Sequence, residues 1–120
     1  MQLKIITQDG IKELKDLKVG ELVLCEDTLF HPVKSIVVLS MNGEFARLSN
    51  GVSFSFHNRF RIKTSKGFKY PELYDVLPIS KKLTPIITSV KPRMEIRFFY
   101  DIMVEGNLIS PEKVVFRFGD

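Results

Sequence analysis

Val52-Ser53-Phe54-Ser55-Phe56-His57-Asn58-Arg59-Phe60-Arg61-Ile62-Lys63-Thr64 carries the cleanest alternation in the chain. Val52, Phe54, Phe56, Phe60 and Ile62 fall on one side, with Asn58 the only polar interruption. Ser53, Ser55, His57, Arg59, Arg61 and Lys63 fall on the other. Successive side chains of a strand point to opposite faces, so this period of two predicts one half-buried strand with an aromatic core face and a polar outer face. Gly, Pro, Asn and Asp punctuate the chain roughly every eight to twelve residues, the rhythm of an all-β domain.

The segments on either side extend that reading. Leu3 to Thr7 reads as a first strand, ended by Gln8-Asp9-Gly10. Ile11, Leu14 and Leu17 recur at helical spacing and predict one or two helical turns before Gly20. Glu21 to Cys25 reads as a second strand. Asn42-Gly43 and Asn50-Gly51 each favour a two-residue type I′ turn, because both central residues of that turn need positive φ. They bracket Glu44 to Ser49 and predict a meander: Pro32 to Met41, then Glu44 to Ser49, then Val52 to Thr64. Ser65-Lys66-Gly67 turns the chain, and Pro71 to Val76 suits a short helical turn. Thr84 to Val90, Met94 to Val104 and Val114 to Phe118 supply further strands. Gly10 to Val23 and Gly67 to Leu77 echo one another, each running from a glycine through a leucine-bearing turn into an apolar strand.

One domain covering residues 1–120, with no linker or low-complexity tract, suits a chain of 120 residues. Its 44% hydrophobic and 27% charged residues are those of an ordinary globular protein. No apolar run approaches the roughly 20 residues a bilayer span needs, and Met1 to Ile6 lacks a signal-peptide pattern. The single cysteine, Cys25, excludes an internal disulfide and a cysteine-rich zinc site. His31, before Pro32, has no metal-ligand partner at helix or strand spacing, so no metal and no small-molecule cofactor is expected. Cys25 ends an apolar strand beside Glu26-Asp27, which suits a buried thiol better than a nucleophile.

Three separated segments resemble the framework of the Hedgehog/intein (Hint) family. Asp9-Gly10 through Leu17-Lys18-Val19-Gly20-Glu21-Leu22-Val23 is similar to the family's opening of DG, short helix and L-x-x-G-D-x-V. His57 to Ile62, followed by Gly67-Phe68, is similar to its block of T-x-x-H, strand and G-W. Phe99-Tyr100-Asp101-Ile102-Met103-Val104-Glu105-Gly106-Asn107 is similar to V-Y-D-L-T-V-E-x-x-H-N. The resemblance implies a compact, horseshoe- or barrel-like Hint fold of short twisted strands with one or two helical turns. Hint domains are built from two pseudo-symmetric halves, which would account for the internal echo.

Autoprocessing in that family starts with an acyl shift at a Cys, Ser or Thr. By the resemblance, Met1 falls a few residues after the nucleophile's place. His57 matches the histidine that strains and protonates the scissile amide, and Asp101 the aspartate that assists later steps, so both are vestigial catalytic candidates. The family's Thr three residues before the histidine is Phe54 here. The family closes on a strand and His-Asn; Lys113 to Arg117 is followed here by Phe118-Gly119-Asp120. The expectation is a non-catalytic binding or structural module that has lost splicing, of the kind found in bacteriophages and mobile elements. Its partner would be another protein and its place the host cytoplasm or a virion. Residual autoproteolysis through His57 and Asp101 is the rival. A third reading is nucleic-acid binding: the net charge is +4, and Arg59, Arg61, Lys63, Lys66 and Lys69 lie in a stretch without Asp or Glu. Arg59, Arg61 and Lys63 would stand about 7 Å apart along a strand, with Phe68 and Tyr70 near enough to stack on bases.

Overall fold

The computed structural model describes residues 1–119, and Asp120 of the closing segment lies outside them. Within them run thirteen short strands and one 3-10 turn. The strands are β1 (Ile5–Thr7), β2 (Gly10–Lys12), β3 (Leu22–Leu24), β4 (Phe30–Pro32), β5 (Ser35–Met41), β6 (Glu44–Leu48) and β7 (Ser53–Phe56), then β8 (Phe60–Thr64), β9 (Gly67–Lys69), β10 (Ile87–Pro92), β11 (Arg97–Met103), β12 (Leu108–Ile109) and β13 (Val115–Phe118). They form four antiparallel sheets ordered β2-β1-β3-β4, β10-β6-β7, β11-β5 and β12-β13-β8-β9.

The alternating stretch keeps its apolar face but is not one strand. Phe54, Phe56, Phe60 and Ile62 are buried as the period of two requires. Between them the chain turns, the Phe60 N–H donating to the His57 carbonyl at 3.0 Å. β7 and β8 therefore lie in different sheets. The five rings of Phe54, Phe56, Phe60, Phe116 and Phe118 contact one another at 5.5–6.0 Å. Burying each contributes about 1.5–3 kcal/mol, so this cluster holds the seam between the two sheets.

The outer face departs from expectation. Ser53 is exposed, but Ser55 and His57 are 3% and 1% exposed. Ser55 is covered by the N-terminal residue: its N–H donates to the Met1 carbonyl at 2.8 Å, and the Met1 amine donates to its Oγ at 3.1 Å. Burial, and then the positive field of Arg93 and Arg97, lowers the pKa of that amine.

The meander is corrected in one place. β6 and β7 form the expected hairpin, with Arg47 opposite Ser53. Only Gly51 of that turn has positive φ, so it is not type I′. β5 and β6 do not pair at all. β5 pairs along its whole length with β11, from Ser35 opposite Met103 to Met41 opposite Arg97. Gly43 instead carries the chain from one sheet to another at φ +66°, where an added Cβ would lie 2.5 Å from the Phe99 ring and 2.7 Å from the Phe56 carbonyl oxygen.

The helical expectations shrink. Leu14–Asp16 is a single 3-10 turn. Leu14 and Leu17 point into the core, while Ile11 belongs to β2 and is exposed. Residues 71–76 form no helix; the chain reverses there with Tyr74 at φ +70°.

The echo of Gly10–Val23 in Gly67–Leu77 is not reproduced past the first strand: within residues 67–77 no 3-10 turn or strand follows β9, and Val76 makes only an isolated bridge to Ile86. The hairpins that end on the two glycines do match. In the β1–β2 hairpin, Ile5, Ile6 and Thr7 face Lys12, Ile11 and Gly10; in β8–β9, Ile62, Lys63 and Thr64 face Lys69, Phe68 and Gly67. The Thr7 hydroxyl donates to the Gly10 carbonyl at 2.8 Å and accepts the Asp9 N–H at 3.1 Å. The Thr64 hydroxyl does the same with Gly67 and Lys66, at 2.8 and 3.1 Å.

Candidate functional site

The break between β7 and β8 places His57 where the chain crosses from one sheet to another. β11 brings Asp101 to it, on the face of that strand that also buries Phe99. The His57 Nε2 lies 2.5 Å from the Asp101 Oδ1. Arg59 reaches the other carboxylate oxygen, its Nε donating to Oδ2 at 3.2 Å. Asp101 is 1% exposed, whereas the Arg59 side chain is 53% exposed. The guanidinium therefore bridges a buried carboxylate to solvent.

The far side of the imidazole is also occupied. The Arg59 backbone N–H donates to Nδ1 at 3.2 Å, and the Asn58 Oδ1 stands 3.3 Å away. The Arg59 N–H suits the tautomer with its proton on Nε2, facing Asp101, whereas the Asn58 Oδ1, itself an acceptor, suits a proton on Nδ1. The Phe99 ring meets the imidazole edge-on at 5.2 Å, and the Phe118 ring stacks on it at 6.2 Å and 15°. The Gly119 N–H donates to the Arg59 carbonyl at 2.8 Å and fixes the closing strand against the same turn.

The result is a buried histidine–carboxylate pair bridged to solvent by Arg59. Among the described residues no hydroxyl or thiol hydrogen-bonds to His57 or Asp101. Nucleophilic catalysis needs a nucleophile within hydrogen-bond reach of the base. Phe54, in the family's Thr position, is fully buried in the phenylalanine cluster. Cys25 is 1% exposed, and its thiol donates only to the Val23 carbonyl, at 3.7 Å. Burial first, and Asp27 second, pushes this thiol up to about 11, the opposite of activation.

Two recesses are lined in part by chain neighbours of Asp101. One of 420 Å³ is lined by Met1, Gln2, Glu13, Ser55, Phe98 and Tyr100. Another of 270 Å³ is lined by Met103, Asn107, Arg117 and Phe118. Neither is lined by His57 or Asp101. Among the described residues no three metal-ligating side chains converge, and His31 sits in β4, 2.6 Å from Asp27. No helix is long and apolar enough to cross a membrane.

Four of the five basic residues are engaged within the chain. Arg59 holds Asp101. Arg61 donates to the carbonyls of Asn58 and Phe60 at 2.6 and 2.9 Å and lies 6.0 Å over the Tyr70 ring. Lys63 pairs with Glu26, whose pKa that hydrogen bond lowers. Lys69 pairs with Asp75 at 2.9 Å and with Glu72 at 3.4 Å. Lys66 is exposed at a turn. The alternation put Arg59 on the same side as His57; the structure joins them instead through the turn between β7 and β8, where the Arg59 N–H meets the His57 Nδ1 and its guanidinium meets Asp101.

No family model matches the chain, and no curated protein is similar enough to match it. Solved structures do match over nearly its whole length. The gp41-1 intein superposes with a TM-score of 0.82 at 18% identity, over 97% of this chain and 94% of that one. The Msm DnaB1 intein splicing domain, solved with bound zinc, gives 0.80 at 16% identity over 97% and 96%. A DnaB intein from Synechocystis gives 0.70 at 17% identity over 93% and 92%. The chain has the all-β, intein-like Hint fold.

Proposed function

We propose that this chain, on the premise of its intein-like fold, is a non-catalytic binding or structural module that has lost protein splicing. The observation that carries the reading is the closed hydrogen-bonding of His57. One ring nitrogen accepts from the Arg59 N–H and the other is bound to a buried carboxylate. A histidine that must hand a proton to a scissile amide needs a free, protonated nitrogen facing substrate. The ring also packs against Phe99, edge to face, and against Phe118. Asp101, the second candidate, is engaged by His57 and Arg59 together.

In this reading the His57–Asp101–Arg59 cluster is a clamp that joins β11 to the β7–β8 turn. The ligand is another protein, in the cytoplasm of a host cell or in a virion of phage origin. That four of the five stripe cations are engaged within the chain supports a protein partner over nucleic acid.

Expression of the chain between two folded reporter domains, followed by intact mass after prolonged incubation with and without thiol, tests the loss of chemistry. One unprocessed species is expected. Release of a reporter that disappears in His57→Ala would establish residual processing instead.

A further inference from the structure

Arg61 and Arg117 share one face of the β12-β13-β8-β9 sheet, and among the described residues no acid answers their charge. β8 and β13 set the two directly opposite one another, which puts their Cβ atoms about 4.5–5.5 Å apart, and like charges so placed repel. Their neighbours are neutralised: Arg59 holds Asp101 and Lys63 holds Glu26. Both oxygens of Glu26 are taken, one by Lys63 and the other by the Asn107 amide. Neither Arg61 nor Arg117 pairs with a carboxylate of the described residues.

Both guanidinium groups are nevertheless held in place. β8 lies between β13 and β9, so the Arg117 side chain must cross β8 to stand 4.4 Å from the centre of the Phe68 ring in β9. Its Nε is buried there and has no acceptor among the described residues. A buried N–H without an acceptor is destabilising, so the site lacks an oxygen. Arg61 lies over Tyr70, two residues beyond Phe68. Its Nη1 donates to the carbonyls of Asn58 and Phe60, which leaves the Nε–H and Nη2 edge of the fork without a partner in the described residues. Arg97 is the useful contrast. Its Nε is also buried and unmet, but its Nη2 lies 3.8 Å from Glu95, so its charge is answered.

We propose that Arg61 and Arg117 form a site for a phosphoryl group, bound as its dianion between the two guanidinium edges. The planar fork of arginine matches phosphate oxygens two at a time. Charge selects the ligand: a phosphate monoester carries about −1.5 to −2 at neutral pH and meets two uncompensated cations, whereas a carboxylate or a phosphodiester brings a single charge. The rings argue the same way. Phe68 and Tyr70 are packed by guanidinium groups, so a nucleic acid would find phosphate contacts here without the stacking surface that single strands use. The ordering cost is small, because both arginines are anchored before the ligand arrives. The group comes as free phosphate or on a phosphorylated side chain of a partner protein, and only the second source rests on the binding-module reading above.

The arginine Nε–H resonances of the ¹⁵N-labelled full chain, titrated with inorganic phosphate to about 10 mM, report on the site directly. Chloride holds the ionic strength constant so that screening does not change. The Nε–H signals of Arg61 and Arg117 should shift together and saturate, while that of Arg47, in β6 of another sheet, stays still. Arg117→Lys keeps the charge and loses the fork, and should weaken binding about tenfold or more with the backbone amide spectrum otherwise retained. Acetate should shift neither signal. Phosphoserine blocked at both ends, if it binds as well as inorganic phosphate or better, assigns the group to a partner's side chain; binding of inorganic phosphate alone assigns it to the free ion. No saturable shift, equal binding of acetate, or an affinity unmoved by Arg117→Lys would each overturn the proposal. So would an oligothymidylate that binds more tightly than phosphoserine and is lost in Arg117→Lys, since the face would then be a nucleic-acid surface.

Discussion

Gly43→Ala tests whether the crossing between sheets is built as described. Two costs add at this position. The backbone at φ +66° is the left-handed region, which costs an L side chain roughly 1–2 kcal/mol. The new Cβ would also stand 2.5 Å from the Phe99 Cζ and 2.7 Å from the Phe56 carbonyl oxygen. The ring can give way, but the carbonyl belongs to β7 and cannot, so an overpacking cost of roughly 1–3 kcal/mol applies. The total is about 2–5 kcal/mol. Gly51 supplies the control, since it has φ +91° and no atom within 4 Å of an added Cβ. Gly51→Ala should therefore show only the backbone cost of roughly 1–2 kcal/mol. Urea unfolding of both variants reads the difference, because with a slope of about 1–3 kcal/mol/M the extra cost lowers the midpoint by around 1 M. Since Phe99 packs edge-on against His57, the imidazole NMR resonances of Gly43→Ala should move and those of Gly51→Ala should not. Equal destabilisation by the two alanines would refute the close approach at Gly43.

Phe56→Ala should cost roughly 3–5 kcal/mol by urea unfolding and Ser53→Ala less than about 0.5 kcal/mol; Ser55→Ala, which removes a buried hydroxyl that accepts from the Met1 amine, should fall between them. Asp101→Ala leaves the buried His57 Nε2 without its hydrogen-bond partner and should cost roughly 1–3 kcal/mol, whereas Arg59→Ala, which removes a half-exposed partner, should cost less than about 1 kcal/mol. Cys25 should resist iodoacetamide in the native state and react once the chain is unfolded. Its thiol is raised by folding from 9.0 to about 11, so the unfolded state loses that proton first. Its contribution is complete below pH 9 and drains away as pH rises toward 11, which thermal melts across that interval would record.

The apolar face of residues 52–64 was legible because burial there follows one local rule, alternation. The strand's interruption at His57 was not, because the polar side of the pattern runs on unbroken through Arg59. Burial of Ser55 and His57 was hidden for a different reason: their covers are Met1, Phe99 and Phe118, contributed from both ends of the chain. Asn42-Gly43 was misread by trusting a local turn preference where a long-range pairing, β5 with β11, decides. The nearness of His57 and Asp101 followed from the family resemblance; nothing in the spacing of residues 57 and 101 implies it. Arg59, Lys63 and Lys69 looked free because their acidic partners, Asp101, Glu26, Glu72 and Asp75, lie outside the stretch that lacks acids, and Arg61 because its partners are backbone carbonyls and a ring.

The matched threonine turns give this molecule a built-in replicate. Thr7 and Thr64 make the same two hydrogen bonds at the same lengths, and both are 4% exposed. Whatever a Thr→Val exchange does through those bonds, it does twice in one polypeptide, under one solvent and one unfolded reference. Any gap between the two measured costs then belongs to the surroundings alone. Only the second turn lies on the hairpin that leads out of the clamp, so that gap would weigh the clamp's grip on its neighbours without touching it.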